Sequence, residues 1–125
     1  MIGEIGFLEL LPATHVTSAG TVNGTVIDLG TNFISVGKRA IKVVLSVDAV
    51  SGTSPTLSVR IQEGNEASGS DMADIHTFPQ ITTTDTFAIA DVHVTKRYIR
   101  AVRVTGGTTP VYTVACVAAA VERFV

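Results

Sequence analysis

The chain has no tryptophan, a single cysteine (Cys116) and few charges, with Asp, Glu, Lys and Arg making up 16% of its 125 residues. A lone cysteine closes no intramolecular disulfide, so a small secreted module stapled by bridges is excluded and assembly in a reducing cytosol fits. Low charge beside 46% hydrophobic residues is the opposite of the composition that keeps a chain disordered. A formal charge of −2 and a pI near 5.8 supply no broad attraction for polyanions, so nucleic acid is not an expected partner. With no Trp and only Tyr98 and Tyr112, the aromatic platform usual in carbohydrate-binding modules is missing. Long apolar runs are also absent. The start, MIGEIGFLELLP, lacks a positive segment and carries Glu4 and Glu9, which argues against a signal peptide. The Ala/Val-rich end is interrupted by Tyr112, Thr113, Glu122 and Arg123 and is too short to span a bilayer, so no membrane partner is expected.

What is abundant is β-branched: 18 Val, 17 Thr and 10 Ile against 6 Leu. Such side chains suit the pleated, half-buried surface of a sheet. Short β runs separated by turn residues fall near 14–18, 22–29, 39–50, 55–63, 72–78, 81–92, 96–104 and 111–122. In the third run, Val43, Leu45, Val47 and Ala49 alternate with Lys42, Ser46 and Asp48, while Val44 makes the second face partly apolar, as in a central strand. Leu57, Val59 and Ile61 share one face of the fourth, with Ser58, Arg60 and Gln62 on the other. In KRYIRAVRVTGG the pair Ile99 and Ala101 is out of phase with Val102 and Val104, which predicts a β-bulge near Ala101. The last run is long enough to bend between two sheets. The expected architecture is all-β: a single-domain, jelly-roll-like β-sandwich of about eight strands over residues 13–125, preceded by an N-terminal arm or edge element over residues 1–12.

A search for chemistry returns little. The polar run EGNEASGSDMAD holds Glu63, Glu66, Asp71 and Asp74, but it lacks the spacing and the flanking helices of a calcium loop and reads as a hairpin turn. His15, His76 and His93 each stand alone in a strand pattern. Cys116, between Val114, Ala115 and Val117, reads as a small core residue. No zinc-protease, phosphate-loop, nucleophile-elbow or dithiol pattern occurs, so neither an enzyme nor a cofactor or metal is expected. Asn23-Gly24 reads as a turn.

Two stretches have the character of contact surfaces. The first is the apolar set Ile2, Ile5, Phe7, Leu8, Leu10 and Leu11, which either packs on this chain's own sheet or forms a patch for a partner. The second is the basic set Lys96, Arg97, Arg100 and Arg103, either a solvated face or a salt-bridging patch for an acidic surface. Without a bulge, alternation puts Arg97 and Arg103 on one face; with it, Arg100 and Arg103 share the exposed one.

The order TLSVRIQEGNEASGSDMADI followed by TDTFAIADVHVTKRYIRAVRVTGG resembles the capsid decoration or cement proteins of tailed bacteriophages over roughly residues 39–118. The resemblance implies a structural virion protein, assembled in the host cytoplasm, that binds the major capsid protein on the outer shell surface. Such proteins often act as a dimer or trimer at symmetry points and strengthen the shell. A tail or head–tail connector component, and a receptor- or carbohydrate-binding β module, are the alternative readings.

Overall fold

The computed structural model describes residues 4–29, 39–82 and 85–122. It is all-β, with seven strands: β1 (Glu4–Val16), β2 (Gly20–Asn23), β3 (Ile27–Asp28), β4 (Arg39–Gly64), β5 (Ala73–Thr77), β6 (Thr86–Val94) and β7 (Tyr98–Glu122). β4 and β7 are each about 25 residues long and run antiparallel to one another along their whole length. Both bend at the same place, where the register between them shifts three times between Asp48 and Thr56. The bend splits one continuous ladder into two four-stranded halves.

In the first half the order is β1, the end of β7, the start of β4, then β6. In the second it is β2 with β3, the start of β7, the end of β4, then β5. Counting each long strand as two and β2 with β3 as one yields eight strands wound as paired hairpins, which is jelly-roll topology. The inward residues follow the period of two: Val43, Leu45, Val47, Val114, Cys116 and Ala118 from one half meet Leu57, Val59, Ile61, Ile99 and Ala101 from the other in a single core. Each buried Val, Leu or Ile contributes about 1.5–3 kcal/mol relative to exposure.

The corner is built from two matching tetrapeptides, Gly-Thr-Ser-Pro at 52–55 and Gly-Thr-Thr-Pro at 107–110. Gly52 and Gly107 have φ of +119° and +97°, and Ser54 and Thr109, each just before its proline, have φ of 47° and 48°. The two turns face each other closely. A Cβ on Gly52 would lie 2.5 Å from the Thr109 carbonyl oxygen, and one on Gly107 would lie 2.5 Å from that of Ser54. Only glycine supplies both the conformation and the room. Across the second turn, the buried Tyr112 hydroxyl and the Thr105 hydroxyl share a hydrogen bond, tying the two halves of β7 together.

One expectation needs correcting. β7 pairs with β4 in unbroken register from Tyr98 opposite Gly64 to Gly106 opposite Thr56, so there is no bulge near Ala101. Ile99 and Ala101 face the core while Val102, in the opposite phase, is also buried, which produced the misleading pattern. β1 has register shifts of its own against β7, between Glu9 and Leu11 and between Leu11 and Thr14. β1 runs without interruption from Glu4 through residue 12 to Val16 and pairs with β7.

Candidate interaction surfaces

The polar run is the turn between antiparallel β4 and β5. Asp71 organises it: one carboxylate oxygen accepts the Asn65 N–H at 2.8 Å and the other the Glu66 N–H at 3.1 Å. The hydrogen bond from Asn65 leads the causes that hold the Asp71 carboxyl below its ordinary pKa. The neighbouring acids have separate tasks. Glu63 is buried and accepts the Thr95 N–H at 3.0 Å and the Thr95 hydroxyl at 3.1 and 3.0 Å, pinning the segment that follows β6. Asp74 accepts the Gln62 amide at 2.7 Å and lies 3.6 Å from Arg60 Nε. Among the described residues no three His, Cys, Asp or Glu side chains converge as metal ligands.

The basic stretch is divided by the fold. Arg97, just before β7, donates two hydrogen bonds to the Asp28 carboxylate at 2.8 and 2.9 Å, which raises its pKa above the ordinary arginine value. Its guanidinium also lies 5.3 Å from the centre of the Tyr98 ring. Arg100 points to the outer face, donates to Gln62 at 2.8 Å and lies beneath the 65–72 turn: a Cβ on Gly69 would come within 3.0 Å of its Nη1. Lys96 is half-buried near Asp71, whose carboxylate its charge favours. Arg103 faces the other way. It shares the phase of Ile99 and Ala101, opposite Val59 and Val22, and its half-buried side chain enters a cleft of about 200 Å³ between the two halves. Leu11, Pro12, Thr14, Asn23, Thr25 and Val114 also line that cleft, and no carboxylate among the described residues lies within ion-pair distance of Arg103. The four basic residues therefore form no single patch.

In the apolar N-terminal stretch, Leu10 and Leu11 are 0% and 4% exposed and belong to this chain's own core, with Leu8 packed against it. The bulge after Glu9 turns two consecutive leucines inward. Leu10 and Leu11 stabilise the sandwich from within its core. Ile5 and Phe7 are described by backbone alone, opposite Val121 and Ala119, and Ile2 lies outside the described residues.

His15 and His93 are exposed; the His15 ring nitrogen lies 3.4 Å from the Thr113 hydroxyl. His76 stacks edge-on against Phe78 at 4.8 Å. Burial pushes the Cys116 thiol up to about 12, so it is protonated and unreactive in the fold. Tyr112 is buried and offers no platform to a ligand.

One surface was not singled out from the residues. On β6, Phe87 and Ile89 are 69% and 55% exposed. Ile89 stands beside Val44 and Val44 beside the 37%-exposed Val117, so an apolar row crosses three strands on the outside of the first half. The alternation was present in TFAIADVHV, but Ala88, Ala90, Val92 and Val94 make the opposite face apolar too, and the periodicity did not say which face was inward.

No protein-family model and no curated protein matches the chain. Among solved structures it is similar to that of the infectious bursal disease virus Gt strain, with a TM-score of 0.67 and 13% identity over 97% of this chain and 33% of that one. The VP2 subviral particle of the same virus (TM-score 0.63, 10% identity, 97% and 33% covered) and its derived T=1 particles (0.67, 12%, 97% and 32%) are similar in the same way. The chain spans about a third of the length of these matches. At such identities the likeness is one of fold: nearly all of this chain has the architecture of one portion of a protein from a viral particle.

Proposed function

We propose that this chain is a structural virion protein that binds the outer surface of a capsid shell, of the tailed-phage kind its sequence resembles, and stabilises that shell through contacts and not catalysis. The observation that carries the reading is the fold itself, a bent eight-strand jelly roll shared over 97% of the chain with proteins of viral particles. Jelly rolls also serve as lectin and cupin domains. A fold alone assigns no function, so the surface has to supply the rest. Its assigned partner is the major capsid protein, and its place is the capsid surface after assembly in the host cytoplasm.

Arg103 is the contact residue the geometry favours. A guanidinium held in a cleft of mixed lining, with no carboxylate within ion-pair distance among the described residues, is suited to the side-chain carboxylate of a shell residue, because a charge pair is stronger where water is partly excluded. Arg97 and Arg100, engaged with Asp28 and Gln62, have less to offer a partner.

The test is co-sedimentation of the purified protein with undecorated heads of the phage that carries it. Saturable binding at a stoichiometry matching one symmetry class is expected, and Arg103→Glu should weaken it more than Arg97→Glu, with the difference shrinking as salt rises. Failure to bind from low to high salt removes the shell-binding reading and favours a tail or connector component.

A further inference from the structure

A sheet that is not closed has edges, and an edge strand presents unpaired N–H and C=O groups that template pairing with another chain. Among the described residues this sandwich has four, and three are blunted. β1 carries Pro12 and two register shifts. β2 and β3 are four and two residues long. β5 has five residues and a register shift where it meets β4. β6 is different: its nine residues pair with β4 in unbroken register, contain no Pro, Gly, Lys or Arg, and have no strand on their other side among the described residues.

That unprotected edge also carries Phe87 and Ile89, the two most exposed large hydrophobic residues among those described. We propose that this chain forms a two-fold dimer in which β6 pairs antiparallel with β6 of a second copy, joining the two outer halves into one continuous sheet.

The side chains single out a second copy because the strand complements itself. In an isologous contact each residue meets its mirror position about the axis. An axis through Ile89 sets Ile89 against itself and brings Asp85 opposite the second copy's His93 at both ends, pairing an acid with a base. It also places Phe87 across from Asp91, whose charge is already offset by Lys42 at 3.0 Å. An axis through Ala88 would set Asp85 directly against Asp91, a destabilising like-charge pair. An axis through Ala90 would set Ile89 against Asp91 and Phe87 against His93, leaving neither outward hydrophobic residue an apolar partner across the seam. Pairing at Ile89 also joins the two Ile89–Val44–Val117 rows end to end into one apolar band across the extended sheet.

The full-length protein alone, without capsids, provides the test, so its outcome is separate from that of shell binding. Size-exclusion chromatography with light scattering over a wide concentration range should give twice the 13.1 kDa chain mass at high concentration. Ile89→Lys and, independently, Phe87→Lys should each return the mass to that of one chain while leaving the far-ultraviolet circular dichroism spectrum in place, because both side chains are exposed in the single copy. Ile89→Cys should cross-link to a dimer under mild oxidation, whereas Thr21→Cys, exposed on β2, should not; the buried Cys116 stays silent in both. A single-chain mass at every concentration, any oligomer other than a dimer, or a dimer that survives both lysine substitutions overturns the proposal.

Discussion

Replacing Gly107 with alanine tests the corner that turns two long strands into two facing sheets. Gly107 has φ of +97°, and a Cβ there would sit 2.5 Å from the Ser54 carbonyl oxygen and 2.9 Å from the Pro55 Cα. Both atoms are backbone, so no flexible side chain can move aside. Holding an L-residue in the left-handed region costs about 1–2 kcal/mol. Displacing a facing backbone adds about 1–3 kcal/mol, as overpacking does. Gly20→Ala isolates the first contribution, because Gly20 has φ of +144° and nothing within 4 Å of its built Cβ. For a domain of this size each kcal/mol shifts the melting temperature by about 3–5 °C, so Gly107→Ala should melt roughly 3–15 °C below Gly20→Ala. Gly52→Ala, facing the Thr109 carbonyl oxygen at 2.5 Å, should behave like Gly107→Ala. The assay is thermal unfolding by far-ultraviolet circular dichroism, with urea titration for the free energies. If the Gly107 and Gly20 variants melt together, the close approach of the two turns contributes nothing and the corner is not what holds the halves face to face.

Leu11→Ala should lower stability by about 2–5 kcal/mol, the range for emptying a buried leucine site, measured by urea unfolding; a loss under 1 kcal/mol, as at a surface site, would mean that this residue does not pack in cis. Asp71 has its pKa depressed below the ordinary 3.8, so its contribution is present above that value and lost as pH falls through its own lower pKa. Asp71→Asn should therefore lower the urea midpoint at neutral pH and converge with the parent in strong acid; parallel curves at all pH values would count against the role of its carboxylate in the turn. With its thiol pushed up to about 12, Cys116 should react with a thiol reagent at pH 8 no faster than the protein unfolds. Rapid stoichiometric labelling of the folded protein would contradict its burial.

Much of the architecture can be read along the chain. The alternation of Val43, Leu45 and Val47, and of Leu57, Val59 and Ile61, marks faces that are indeed buried. The inert environment of Cys116 and the turn character of residues 65–72 follow equally from neighbours in sequence. The contact surfaces were harder to see. The phase of 99–104 predicted a bulge because Val102 is buried on the face opposite Ile99, and that depends on what covers the second face. Lys96, Arg97, Arg100 and Arg103 look like one basic patch in sequence, yet Asp28, Gln62 and the 65–72 turn engage or cover three of them in different places.

Period-two patterning, β-branched composition and turn residues are local properties, and they were enough to specify an all-β chain with strands near their observed positions. Pairing is not local. That β4 and β7 run together and fold over at twin Gly-Thr-Ser/Thr-Pro turns, that a bulge sends both Leu10 and Leu11 inward, and that β6 is left at an edge with Phe87 and Ile89 outside all depend on contacts between segments far apart in the chain. A strand's pattern records that it has two faces; its neighbours in the folded sheet decide which of them meets water.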